Sequence, residues 1–530
     1  LALAVATSSA PAVAARGDRS GWVTVWTASP QSAGATFSEQ TLRLIVSPHG
    51  TGSSLRVRLT NRYATTPVTL AEVHVGRRRE GAALVAGTSR SVLFGGERAV
   101  TIPPGGTAIS DAVALDVRPF EDLAVSIRID EETGPAPAHL FALQTSYLTP
   151  RGATARGGEE DGASYTQTTK SWYYLAAVDV RAGRTAGAIG VIGDSITDGI
   201  ASTSDADRRW PDLLQRRLLA DPRLSRLAVL NAGIGGNQVT RGHPTFGDAA
   251  VDRLAPDLLE LSGLHALVVL EGINDIAGNT PPRATAEEII AGYRRLIESA
   301  RQRGLAVMAL TLTPTAPDPA YPTYSDAQAV AVRREVDDWL RSSGEFDAVF
   351  DADAALGDPG GTGLLAPAFD AGDGLHPNDA GMQAIAEDPL YSADWRTWIL
   401  KIRREIGTVD FADLIYLRSQ HRVDSVRKRT HNPEYQPSYP ILFGAQEGKI
   451  AKANRGKDPL YMFAALQRQL GYPRVPRPRP PRTRPLFEPH VEMRFQRLEN
   501  RLTMLEAEGK GSGVDLSQFY TKPPPDLPPE

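Results

Sequence analysis

The spacing of apolar positions changes twice along the chain. From about Trp22 to Val180 it has the short period of β-structure. Leu55-Arg-Val-Arg-Leu59 alternates apolar and polar residues, the pattern of a half-buried strand. Thr69–Val75, Val113–Val117 and Leu123–Ile127 are further strand candidates with looser alternation. Turns rich in Gly and Pro, such as Ile102-Pro-Pro-Gly-Gly106, separate them. Regularly spaced short strands with few helical stretches predict an antiparallel β-sandwich over residues 20–182. From about Ala186 apolar runs alternate with amphipathic stretches. The runs are Ala188–Ile192, Ala228–Asn231, Ala266–Leu270, Ala306–Leu312 and Ala348–Phe350. Helices are predicted near Trp210–Leu219, Thr285–Arg303, Asp326–Arg341 and Asn378–Ala386. Alternating strand and helix predicts parallel strands joined by right-handed crossovers, hence a three-layer α/β domain over residues 183–388.

Near Glu387 the character changes again. Lys170 is the single lysine before it, whereas lysines recur from Lys401 to Lys522. Residues 389–472 read as a helical region of unknown role. Residues 473–530 read as a Pro/Arg-rich linker, a short helix and a disordered tail. In that helix Val491, Phe495, Leu498, Leu502 and Leu505 recur at spacings of four and three, a heptad seam too short to require a coiled coil. Arg427-Lys-Arg429 and Arg477 to Arg484 suit either a solvated linker or contact with nucleic acid, cell-wall polymer or anionic lipid. The change in lysine use fits a natural fusion and equally an artefactual joining of two genes.

Composition narrows the class. A chain of 530 residues is too long for one ordinary core, and 41% hydrophobic with 23% charged residues is normal for a globular protein. A net charge of −4 favours neither nucleic acid nor membrane as a partner of the whole chain. The absence of cysteine removes disulfides, thiolate metal sites and a cysteine nucleophile. Residues 1–19 begin LALAVATSSAPAVAARG, which reads as the end of an export signal with a small-residue cleavage site at Ala12-Val-Ala14, so the expected location is extracellular. No apolar run is long enough to predict a membrane span.

Chemistry concentrates where predicted strands end, the edge at which open α/β sheets bind ligands. Gly193-Asp-Ser-Ile-Thr-Asp-Gly199 follows the first parallel strand. A serine between a strand end and a helix start has an exposed hydroxyl and nearby free N–H groups, although a serine or aspartate there also serves as a helix cap. Asn231-Ala-Gly-Ile-Gly-Gly236 follows the second strand and Glu271-Gly-Ile-Asn274-Asp275 the third. Their glycine N–H and asparagine amide suit an oxyanion, and equally a turn or a cap. In Asp373-Gly-Leu-His376-Pro, an acid three residues before a histidine can accept from Nδ1 and leave Nε2 as a base. No HExxH and no His/Cys cluster is present, and Asp351-Ala-Asp353 reads as solvated or capping, so no metal or other cofactor is expected.

Taken together, the blocks GDSITDG, NAGIGG, GIND and DGLHP resemble the GDSL, or SGNH, hydrolase family over about residues 186–387. The first block has Ile where the family name has Leu. The resemblance implies a three-layer, flavodoxin-like SGNH domain. It makes Ser195 the nucleophile, His376 the base and Asp373 its orienting acid. Ser195, Gly236 and Asn274 become the oxyanion hole, with Asp194 in support. The opening Trp22-Val-Thr-Val-Trp-Thr-Ala-Ser-Pro30 and the β region are similar to secreted bacterial members, some resembling acetylxylan esterases. The implied activity is hydrolysis of acetyl or short acyl esters, on small molecules or polysaccharide, through an acyl-enzyme. A lipase or acyltransferase using the same site and a non-catalytic carbohydrate-binding protein are the alternatives. Trp210, His243 and Tyr324 are candidate lining residues.

Overall fold

A computed structural model describes residues 21–153, 157–183, 185–221 and 224–387. The described residues all belong to one compact unit. The export signal, the Pro/Arg-rich stretch, the basic segments and the heptad seam lie outside the described residues.

The N-terminal region is antiparallel. Its main strands are β1 (Trp22–Thr27), β2 (Gln40–Val46), β3 (Leu55–Thr60), β4 (Glu72–Glu80), β5 (Thr107–Ile109), β6 (Leu123–Ile129), β7 (Pro137–His139) and β8 (Leu175–Arg181). A four-stranded sheet has the order β1-β8-β3-β5, and a seven-stranded sheet is built around β2, β6 and β4. Apolar residues of both sheets, including Val57, Leu59 and Val178 from one and Leu44, Val75 and Val125 from the other, form one core. Thr69–Val75 is divided between a short strand, Val68–Leu70, and the start of β4. Val113–Val117 is not a strand. Only single bridges join Leu55 to Val113 and Gly52 to Val117.

The alternation in β3 has a different meaning from the one its sequence suggests. Leu55, Val57 and Leu59 enter the shared core, as expected. Arg56 and Arg58, however, turn toward a second protein layer. Fully buried Asp179 of β8 accepts from Arg56 Nε at 2.7 Å, Arg58 Nε at 3.0 Å and Thr24 Oγ1 at 2.6 Å. Both guanidinium groups also reach Ser262 Oγ, at 3.0 and 2.7 Å, across in the α/β region. Strands β1, β8 and β3 of this sheet are therefore largely covered on both faces, and their polar face is a junction held by paired charges.

In the α/β region, five parallel strands run in the order β10-β9-β11-β12-β13. They are β9 (Gly187–Gly193), β10 (Leu227–Gly233), β11 (Leu264–Leu270), β12 (Ala306–Leu310) and β13 (Ala348–Phe350). β9 is buried along its whole length, as a central parallel strand covered by helices must be. The helices are α1 (Ser195–Asp198), α2 (Trp210–Ala220), α3 (Ala250–Leu254), α4 (Ile273–Ala277), α5 (Ala286–Gln302), α6 (Ala327–Ser342), α7 (Ala352–Leu356) and α8 (Asp379–Glu387). In α5, Thr285 and Glu288 form a reciprocal capping box, and Ile289, Tyr293, Leu296, Ile297 and Ala300 make its buried stripe. The two cores interlock at one place: Val23 of β1 joins the α/β core, and Ala228 of β10 joins the β core.

Candidate active site

β9 ends at Gly193, where a Cβ would lie 2.4 Å from the Leu270 carbonyl oxygen. Only glycine lets β9 and β11 finish so close together. Asp194 then caps α1, accepting from Ile196 N–H at 3.0 Å, and left-handed Gly199 ends the turn. This strand–cap–turn places Ser195 at the sheet edge. Its Oγ lies 3.0 Å from His376 Nε2, and His376 Nδ1 lies 2.7 Å from Asp373 Oδ2. Asp373 Oδ1 also accepts the N–H groups of Leu375, at 3.0 Å, and His376, at 2.8 Å. The carboxylate and imidazole are thus fixed by the backbone of their own loop. Burial raises the Asp373 pKa, but the hydrogen bonds and charge of His376 and the Leu375 N–H outweigh it and bring the value down to about 2.

The other predicted residues converge on the same place. Gly236 has φ +78°, and a Cβ there would meet the Phe246 ring at 2.6 Å. Among the described residues, no group accepts from the N–H of Ser195 or of Gly236. Asn274 gives one amide hydrogen to the Asn237 carbonyl at 2.8 Å. Its Oδ1 accepts from Tyr324 Oη at 2.7 Å and Asn279 Nδ2 at 2.9 Å, which fixes the amide's orientation and leaves its second hydrogen uncommitted among the described residues. Ser195 and His376 are each 6% exposed and Asn274 only 2%, so these side chains sit just below the surface.

Beneath this edge lies a buried charge network. Arg253 of α3 is fully buried. It donates to the carbonyl oxygens of Gly193 at 2.9 Å and Ala232 at 2.7 Å, and to Asn237 Oδ1 at 2.8 Å. Its charge is met by Asp257 at 3.0 Å and Glu271 at 3.4 Å. One side chain therefore ties the ends of β9 and β10 to the loop bearing Gly236. Asp275 accepts from the N–H groups of Val239 and Thr240, at 2.8 and 3.0 Å, and fixes the same loop from the other side. Burial pushes the Asp194 carboxyl up to about 7 against the Ile196 hydrogen bond, and Asp275 up to about 6 against its Thr240 and Val239 bonds. Burial, reinforced by the Asp194 charge, holds Glu271 well above the usual carboxylate range.

The lining candidates divide. Trp210 is 2% exposed and belongs to the core. His243 stacks on Phe246, with centroids 4.6 Å apart, over Gly236. Tyr324 is buried and acts on Asn274. Asp351 and Asp353 are engaged by Arg341 at 2.8 Å each, and Asp353 also by Arg333. No group of three or more His, Cys, Asp or Glu side chains suited to a metal occurs among the described residues. Sequence patterns missed Arg253, Asp275, Asn237, Asp198 and His139. Asn237, Asp198 and Asp275 adjoin or lie within the recognised blocks, but Arg253 and His139 carry no local signal.

Residues 191–384 match the family described as "GDSL-like Lipase/Acylhydrolase family". The chain carries a domain of that family, and the enzyme is a carboxylic ester hydrolase of GDSL type. No curated protein matches it. Similar solved structures include the aryl esterase of M. smegmatis, at 20% identity and TM-score 0.31. A carbohydrate acetylesterase family member from Sinorhizobium meliloti is 19% identical, with TM-score 0.32. Each covers 38% of this chain and 95% of its own. A GDSL-like lipase from Bacteroides thetaiotaomicron is 17% identical, with TM-score 0.30, covering 41% of this chain and 89% of its own.

Proposed function

We propose that Ser195 is the nucleophile of an esterase acting on acetyl or other short acyl esters, with His376 as base and Asp373 as its orienting acid. The reading rests on the continuous relay from Asp373 Oδ2 through His376 to Ser195 Oγ, at 2.7 and 3.0 Å. With Asp373 ionised and facing Nδ1, the proton-bearing nitrogen is Nδ1 and the free lone pair of Nε2 faces the serine hydroxyl. His376 takes the Ser195 proton as Oγ attacks the ester carbonyl. The N–H groups of Ser195 and Gly236 and the free amide hydrogen of Asn274 receive the oxyanion, with Asp194 setting the turn that presents Ser195. His376 then protonates the leaving alcohol. Water, activated in the same way, releases the acid from the acyl-enzyme.

The proposed alcohol side is a carbohydrate or an aryl alcohol, which the rings of Phe246 and Tyr321 beside the proposed triad would flank. Phe246 lies over Gly236, and the Tyr321 ring meets the His376 ring edge-on at 5.9 Å. The proposal includes export, on the strength of the apolar, alanine-rich residues 1–17. Among the described residues no helix is long and apolar enough to cross a membrane. Ser195→Ala is expected to lower hydrolysis of p-nitrophenyl acetate by at least about 10⁴-fold and to abolish labelling by a fluorophosphonate. Near-normal turnover by this variant would remove Ser195 from the nucleophile's role.

A further inference from the structure

The β region enters the site through His139, at the end of β7. The His139 ring is 4% exposed, with its Nδ1 2.9 Å from the Ser29 carbonyl oxygen and its Nε2 3.1 Å from Asp198 Oδ1. Asp198 is itself 3% exposed and closes the first sequence block, three residues after Ser195. Its other oxygen, Oδ2, accepts the N–H of Gly235 at 2.9 Å. A single hydrogen-bonded path therefore runs from Ser29 through His139 and Asp198 to the residue beside Gly236.

The chemistry of the partners sets the protonation of the ring. A backbone carbonyl only accepts, so Nδ1 carries a hydrogen. Asp198 accepts at Oδ2 and faces Nε2 with Oδ1. An ionised carboxylate satisfies both contacts only if Nε2 donates as well. Both ring nitrogens then carry protons, and His139 is a buried cation paired with a buried anion. The charged groups around the ring are Asp198, Arg209, Asp207, Asp212 and His49, which line one small cavity with it. Burial lowers the basicity of His139 and Arg209 opposes protonation, but Asp198 and the Ser29 carbonyl outweigh them and the value is raised. A second contact from the β region acts on the same loop. Gln31 Nε2 donates to the Thr245 carbonyl at 3.0 Å, next to the Phe246 that covers Gly236.

We infer that His139 is a positioning residue. Its imidazolium holds Asp198, and through it the Gly235–Gly236 segment, in the geometry that receives the oxyanion. This rests on the proposed serine-esterase reading and gives the β region a part in it. The antiparallel and α/β regions together form the catalytic unit in this view, and the antiparallel region is more than an appended binding module.

The test uses the full-length protein with ¹⁵N-labelled histidine. At pH 7.5 a ring with both nitrogens protonated and its N–H protons sheltered from exchange is expected, and that ring's signal is expected to vanish in His139→Gln. The same variant is expected to lose about tenfold or more in kcat toward p-nitrophenyl acetate, with KM changed less than about twofold. Fluorophosphonate labelling of Ser195 in both proteins confirms that the nucleophile is in place. If all histidine rings were singly protonated at pH 7.5, or if kcat of His139→Gln stayed within twofold, the inference would be overturned. His49, which faces the Val229 carbonyl and Asp212, is set apart by His49→Gln, so the ring measurement decides even if His139→Gln does not fold. Failure of the esterase reading has a different signature, namely hydrolysis that survives Ser195→Ala.

Discussion

Two places in the described chain, the Asp179 junction of the antiparallel region and the parallel-sheet edge at Ser195, bury polar groups to opposite ends. In the antiparallel region Asp179 has no exposure, and its two oxygens take three hydrogen bonds from Arg56, Arg58 and Thr24. At the edge of the parallel sheet, groups are left uncommitted. The N–H groups of Ser195 and Gly236 donate to nothing among the described residues, and Glu271 Oε1 and Gln238 Oε1 are buried without a partner. Unpaired buried polar groups are costly, so folded chains keep them where something else requires them. The first arrangement joins layers. The second, in the proposed function, receives the charge that develops during the reaction. The difference suggests that stability and turnover respond to different substitutions.

The sharpest way to break that comparison is Asp179→Ala. It strands two arginines at a covered junction and is expected to destabilise the protein by about 3–5 kcal/mol, read from denaturant unfolding. kcat of the folded fraction should stay close to wild type. A large loss of kcat at unchanged stability would place Asp179 with the site. The reciprocal substitution is Asn274→Ala. Loss of one oxyanion donor costs about 2.7–4 kcal/mol of transition-state stabilisation. The expectation is a fall in kcat of about 10²–10³-fold, with KM little changed, in steady-state kinetics on a short aryl ester. A matching rise in KM would mean that Asn274 binds the ground state instead.

Tyr324→Phe removes only the hydroxyl that orients Asn274. A single hydrogen bond is worth about 1 ± 0.5 kcal/mol, so kcat should fall roughly fivefold. An effect as large as that of Asn274→Ala would show that Tyr324 Oη touches the substrate directly. A separate expectation concerns stability against pH. Asp194 keeps its proton up to about pH 7 in the folded protein. In the unfolded chain it does so only to about pH 4. Between these values the folded form holds the extra proton, so Asp194 makes stability decline as pH rises from about 4 to about 7. Asp194→Asn keeps a capping oxygen but cannot ionise. Its melting temperature, followed over that range, should decline less than that of wild type. An unchanged slope would assign the pH dependence to other groups.

Much of the site was legible because its pieces are local. Gly193 to Gly199, Gly236, Asn274 and the Asp373–His376 pair each sit in a short block just after a strand, and their spacing within each block sets their local geometry. The boundaries of β11, β12, β13, α5 and α6 were readable to within a few residues, since each is periodic and closed by caps or turns. Val113–Val117 failed as a strand because its apolar content finds core contacts through two isolated bridges and no continuous partner. Arg56 and Arg58 were misleading for a related reason. Alternation says that two faces differ, but it does not say what covers the second face.

The sequence by itself determined the chemistry available: a serine after a strand, a histidine with its own carboxylate three residues away, and donors at neighbouring strand ends. These are properties of short segments, where chain connectivity holds the relevant atoms close. Only the tertiary structure decided that Arg253 ties β9 and β10 to the loop bearing Gly236. It alone set the Tyr324 hydroxyl against Asn274, 50 residues away in the chain. It also brought His139, at a separation of 59 residues, to Asp198. Those contacts depend on how sheets pack, and packing is a long-range sum over many weak contacts that leaves no mark on the residues around any one partner.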